Sequence, residues 1–156
     1  MKQKNKHIFV FGIFAVDLSF YVDKKVKPGE TIIAKSSNIG PGGKASNQAI
    51  SARKLGAPTT LITRLGNDNF NSYANSIWRR EKLFASTKID KNLPTGMAGI
   101  FIDDKTGENS VIVDPGASAH LSIDDFYAQK SKMKKGDIFL TQFEQSSDTT
   151  FSVLKE

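Results

Sequence analysis

The sequence predicts an α/β protein with a mainly parallel central sheet and a second, smaller β-sheet beside it. Three observations carry this expectation. Short apolar runs at 7–12, 59–65 and 137–142 have the look of core strands. Helical patterns lie between them. The β-prone stretches near 13–22, 31–39 and 97–113 do not fit that alternation, and they are assigned to the smaller sheet.

Taken in order, the run at 7–12 (HIFVFG) ends in Gly12, as a buried strand does before a turn. Residues 16–22 are apolar and aromatic, and Pro28-Gly29 marks a turn. The segment 31–39 is β-prone but only half apolar, which suits a peripheral strand. From Gly43 the pattern turns helical: Ala45, Ala49, Ala52 and Leu55 share one face, and Gly56 stops the helix. After the strand at 59–65, Asn67 or Asp68 caps a helix running to about Lys82. Residues 95–103 and 110–114 form a hairpin around Asp104-Lys105-Thr106-Gly107. Ser122 caps the next helix, residues 137–142 form a third buried strand, and a final helical stretch runs towards Glu156.

Composition narrows the chemistry. With 156 residues the chain can build one core. It has no cysteine and only two histidines, His7 and His120, without ligand-like spacing, so no metal site is expected. The net charge of +6 is scattered and lacks interleaved aromatic residues. It reads as a lysine-rich surface with no nucleic-acid site. The basic start precedes an apolar run too short for a signal peptide or a membrane span, so the expected location is cytoplasmic with no membrane partner.

The segment Asn38-Ile39-Gly40-Pro41-Gly42-Gly43-Lys44-Ala45-Ser46-Asn47-Gln48 carries the strongest chemical signal. Its glycines let backbone amides approach a ligand, and the helix start adds free N–H groups. Lys44 and Asn47, three apart in the first turn, reach the same spot; one donates only and the other donates and accepts. A phosphate-binding P-loop fails at both ends, because Asn38 and Ala45 stand where glycine and a hydroxyl are needed. Gly40-x-Gly42-x-x-Ala45 formally fits a relaxed dinucleotide fingerprint, but the segment before it is half polar and the next strand ends in Arg64-Leu65-Gly66. On this segment alone, a helix entry without a ligand stays open.

Gly42-Gly43-Lys44-Ala45-Ser46-Asn47-Gln48-Ala49, followed by Ala52, Leu55-Gly56-Ala57 and Leu65-Gly66-Asn67-Asp68, resembles the first signature of the ribokinase (PfkB-type carbohydrate kinase) family. Gly12 and Asp17 look like that family's first strand and its sugar-binding aspartate. Pro28-Gly29-Glu30-Thr31, residues 95–102 and 108–117 resemble its lid, and Gln142-Phe143-Glu144 resembles the strand end that presents a glutamate. The likeness runs in order along the whole chain and corresponds to the N-terminal half of the family's single domain.

The resemblance implies a three-layer α/β/α fold with a small β-sheet lid near 13–22, 31–39 and 97–113. It further implies a sugar pocket in which Asp17, Lys44, Asn47 and Glu144 bind hydroxyls while Gly42 and Gly43 pack against the sugar. Taken singly, Asp17 reads equally as a turn residue, Lys44 and Asn47 equally as a solvated charge and first-turn helix decoration, and Glu144 more readily as a strand-end surface charge. Ala15 stands where ribokinases carry asparagine, which loosens the assignment to ribose. The family's catalytic aspartate, in a Gly-Ala-Gly-Asp motif, has no counterpart here; Pro115-Gly116-Ala117-Ser118 is the nearest string. The implied ATP, Mg2+ and K+ sites are therefore expected beyond this chain, which alone is expected to be inactive. A homodimer through the lid is a further implication. The alternative is a non-catalytic sugar-binding or dimerising module. A sheet edge and an apolar face left uncovered after the last strand imply aggregation or marginal stability.

Overall fold

Alternation along four residues decides the layering. The computed structural model describes residues 6–156, and the basic opening at 1–5 lies outside them. Strand β1 (Ile8–Phe11) turns Val10 to one face, while Phe9 and Phe11 turn to the other. On the Val10 face lie Ala45, Ala49 and Ile50 of α1 (Lys44–Lys54) with Ala74, Ile77 and Trp78 of α2 (Asn69–Arg80). On the opposite face lie Phe126 of α3 (Ile123–Lys130) and Val153 of α4 (Ser147–Leu154). Burying each Val, Ile or Phe among these is worth about 1.5–3 kcal/mol of transfer free energy, and each alanine methyl less. Burial on both faces is why β1 reads as an unbroken apolar run. The expected α/β/α layering is present.

The central sheet is wholly parallel. β4 (Thr59–Gly66) and β8 (Ile138–Thr141) flank β1, and β5 (Phe84–Asp90) lies outside β4. Two expectations change here. β5 was not expected, because an edge strand with exposed Phe84 and Ile89 interrupted by polar residues lacks a core signature. Among the described residues, the strand expected as buried near 137–142 lies at the edge of the sheet, with Ile138 exposed.

The second sheet has the order β3-β2-β6-β7, with β2 (Ala15–Val22) antiparallel to β3 (Ser36–Gly42) and parallel to β6 (Thr95–Asp103). β6 in turn pairs antiparallel with β7 (Asn109–Gly116). The strand expected at 31–39 is displaced to Ser36–Gly42 and runs through the glycine-rich segment. Register explains this: β3 pairs from Tyr21↔Ser36 to Ala15↔Gly42, and β2 ends at Val22, so residues 31–35 have little left to pair with. Ile33 is accordingly 94% exposed.

Local signals place the remaining pieces. Asp68 caps α2 by accepting the Asn71 N–H at 3.0 Å. Ser122 and Asp125 form a capping box at α3. Asp103 closes the β6–β7 hairpin by accepting the Lys105 and Thr106 N–H groups.

Candidate functional site

From β1 the chain moves to β4 and β5 on one side, then returns to β8 on the other. The carboxyl ends of β1 and β8 therefore flank a topological switch point, where open α/β sheets place ligands. Four segments meet there. Gly12 to Phe14 lead from β1 into β2, which carries Asp17; β3 ends at Gly42; α1 starts at Lys44; and Glu144 follows β8.

The start of α1 is incomplete by its own sequence. Its N-cap is Gly43, which has no side chain to cap with, and its first turn holds no acidic residue. Glu144 supplies the missing group from a distant part of the chain. Its Oε2 accepts the Lys44 backbone N–H at 2.7 Å, and its Oε1 accepts a bond from the Lys44 ammonium. A carboxylate at a helix N-terminus is favoured by both charge and hydrogen bonding.

Asp17 lies across Gly42. A Cβ at position 42 would stand 2.0 Å from Asp17 Oδ1, so only glycine leaves room for the carboxylate. Gly43, at φ 82°, has a backbone shape that suits glycine, and a Cβ there would stand 2.4 Å from the Ile13 carbonyl. Burial, followed by the negative charge of Glu144, pushes the Asp17 carboxyl above its ordinary range. Asn47 is exposed one turn along α1 from Lys44. The structure thus gathers Asp17, Gly42, Gly43, Lys44 and Glu144, with Asn47 on the adjoining turn.

Neighbouring signature residues have other tasks. Ala15, 3% exposed, pairs with Gly42 and brings no polar group. Ser118 is fully buried, and its single hydroxyl proton is shared between the Arg64 carbonyl at 2.9 Å and the Phe14 carbonyl at 3.2 Å, tying the turn after β7 to β4 and to the β1–β2 link. Asp68 accepts the Thr95 N–H at 2.7 Å and the Thr95 hydroxyl at 2.8 Å, fastening β6 to the end of β4. Gln145 escaped the sequence reading, although a glutamine on each side of Phe143-Glu144 is a visible polar pattern. Among the described residues, no group of three or more His, Asp or Glu converges as a metal site. No helix among them is long and apolar enough to cross a membrane. A cavity of about 440 Å³ lined by His7, Pro58, Lys134 and Asp137 opens at the amino ends of the strands, away from this cluster.

The model of the pfkB family carbohydrate kinases matches residues 5–150. The chain belongs to that family. Relatives among the pfkB kinases include the ribokinase of Dictyostelium discoideum, 34% identical over 150 residues that cover 96% of this chain and 47% of the relative. The deoxyribokinase of Salmonella typhi is 32% identical over 151 residues, covering 95% of this chain and 48% of the relative. The chain thus spans about half the length of these curated relatives. Among solved structures, Thermotoga maritima ribokinase superposes with a TM-score of 0.85 at 34% identity, over 97% of this chain and 50% of the other. Giardia lamblia ribokinase superposes with a TM-score of 0.87 at 28% identity, over 96% and 50% respectively. The pfkB kinase fold, with its parallel sheet and second sheet, is therefore shared across the described chain.

Proposed function

We propose that this chain is the sugar-binding half of an ATP-dependent sugar kinase of the ribokinase type, phosphorylating a hydroxyl of ribose or a related sugar. One observation carries the reading: Asp17 packs on Gly42 and Glu144 packs on the first turn of α1, so two carboxylates flank the glycine pair at which the helix begins. Two acceptors, the donor Lys44 and the amide of Asn47 match the alternating donor and acceptor needs of a polyol. Partial removal of water from Asp17 strengthens the hydrogen bonds it can accept from hydroxyls. The bare backbone at Gly42 and Gly43 lets a sugar ring come close.

Support for the sugar comes from relatives. The Arabidopsis thaliana ribokinase, with a TM-score of 0.77 at 27% identity, was solved with ribose and ATP. Ala15 and the deoxyribokinase relatives together make 2-deoxyribose a second candidate beside ribose. Phosphoryl transfer requires a nucleotide, with magnesium and, in this family, a monovalent cation. Their sites, with the catalytic base, are expected in the half of the relatives' length that this chain does not cover. What the chain's own residues do is bind and orient the sugar.

The second sheet acts in this reading as the lid, and its exposed Ile39, Val111, Ile112 and Val113 favour pairing between two copies. The expected place of action is the cytoplasm. Calorimetric titration with ribose, 2-deoxyribose, fructose and glucose, beside an ATP-coupled assay, tests the proposal. Sugar binding without turnover by the isolated chain is expected. Absence of binding to every sugar overturns the sugar site, and turnover overturns the division of labour. A non-catalytic binding module is favoured instead if the natural gene encodes no C-terminal kinase half.

A further inference from the structure

Two buried glutamines flank Glu144 along the chain, Gln142 two residues before it and Gln145 directly after it. Before it, Gln142, 9% exposed, donates its amide N–H to the side-chain oxygen of Gln48 on α1. After it, Gln145, 5% exposed, turns inward and donates to Thr141 Oγ1 at 2.9 Å and Thr150 Oγ1 at 2.7 Å. The Gln142 carbonyl also lies within reach of the Gln145 amide nitrogen, so three acceptors share its two N–H groups and the short loop carrying Phe143 and Glu144 is closed. Thr150 is itself fully buried in α4.

Burying two glutamines within four residues is costly unless their bonds serve a purpose, because unpaired amide groups lose hydration without return. The side-chain oxygens of Gln142 and Gln145 are both buried and find no hydrogen-bond partner among the described residues, and both face Gly12. A Cβ at position 12 would stand 2.4 Å from Gln142 Oε1 and 3.4 Å from Gln145 Oε1. The bare backbone at the end of β1 thus makes space for the amides. Packing alone would be met by leucine or methionine; hydrogen bonds from a loop to α1 and α4 fix orientation as well.

We propose that Gln48, Gln142 and Gln145 are positioning residues that hold Glu144 over the first turn of α1 and so set how its carboxylate meets a sugar hydroxyl. The functional half of this proposal rests on the sugar-site reading above; the structural half does not. Misplacing a binding group by about 1 Å can cost on the order of 100-fold in activity.

Amide hydrogen exchange on the full 156-residue chain tests it. The Lys44 N–H, in the first turn of α1, has no helical carbonyl to bind, so its protection reports the Glu144 carboxylate. Gln48→Ala, which keeps a good helix former, and Gln145→Met are expected to speed Lys44 exchange by about tenfold while Ile50 stays protected. Gln48→Glu, able to accept the same Gln142 N–H, is expected to restore the slow rate. Unchanged Lys44 exchange in both variants, with Ile50 still protected, overturns the proposal. Ribose titration of the same samples is expected to show about tenfold weaker binding for Gln48→Ala and Gln145→Met, with recovery in Gln48→Glu. Altered Lys44 exchange with unaltered ribose affinity overturns the functional half. If the unmodified chain binds no sugar, the sugar-site reading fails, and the Lys44 rates alone decide the positioning role.

Discussion

Glu144 Oε2 accepts the backbone N–H of Lys44 at 2.7 Å across 100 residues of chain, and so completes a helix start that Gly43 leaves uncapped. One contact therefore serves the fold and the candidate site together. Replacing Glu144 by alanine removes a charge-assisted cap and is expected to destabilise the chain by about 0.5–2 kcal/mol. Sugar affinity is expected to fall by about tenfold or more, the worth of one hydrogen bond to a charged group. Urea denaturation and calorimetry measure the two effects separately.

Gly42→Ala directs a methyl group at a carboxylate. The new Cβ would stand 2.0 Å from Asp17 Oδ1, so Asp17 must leave its place. Overpacking of this kind costs about 1–3 kcal/mol, and sugar binding is expected to disappear from calorimetric titrations. Gly40→Ala is the matched control. Its Cβ would meet nothing nearer than Asn38 Nδ2 at 3.7 Å, an ordinary contact, so both stability and binding are expected to survive.

Asp17 carries a stability penalty at neutral pH. Its folded pKa lies above the ordinary value, so the folded state holds the proton more tightly than the unfolded state. Stability is therefore lost as pH rises from the unfolded value of 3.8 through the folded one. Asp17→Asn is expected to be more stable than the unmodified chain at pH 7, by a few tenths to about 1 kcal/mol given partial solvent screening. The advantage is expected to vanish below the unfolded value, and sugar binding is expected to weaken sharply. Urea titrations on either side of that window check the first point and calorimetry the second.

Asp68 behaves in the opposite sense. Burial pushes its carboxyl up, but bonds from the Thr95 N–H and hydroxyl and the Asn71 N–H outweigh this and hold it low. Its contribution is present above the unfolded pKa of 3.8 and is lost as pH falls through the folded value. Asp68→Ala is expected to cost about 1–3 kcal/mol at pH 7, and less at acid pH, where the unmodified chain has already lost the same bonds. Thermal melts across the acid range measure the difference.

Much of this was legible in the residues themselves. Val10 between Phe9 and Phe11, the small-residue face of Ala45 and Ala49, and the caps at Asp68 and Ser122 each dictate their local structure. β5 was not legible, because an edge strand need not be apolar on both faces, and Lys88 and Asp90 dilute its pattern. The limits of β3 depend on where β2 stops, which is a pairing fact rather than a propensity. In the candidate site, Asp17, Lys44 and Glu144 could be singled out by type and motif. That Glu144 caps α1, and that buried glutamines flank it, depends on how β8 lies beside β1, and no local pattern encodes such a contact.

The placement of β8 also orders events in time. Ile8 to Phe11 pair with Thr59 to Ile62 on one side and with Ile138 to Thr141 on the other. During synthesis, β1, α1 and β4 can assemble long before residue 138 leaves the ribosome, since domains begin to fold as chain emerges. The closing of Glu144 onto Lys44 must wait for that pairing, the most distant in sequence among the described strands, and such long-range contacts are the slow ones. Substitutions at Glu144 are accordingly expected to act on how fast the folded chain opens, leaving the rate of first collapse nearly untouched.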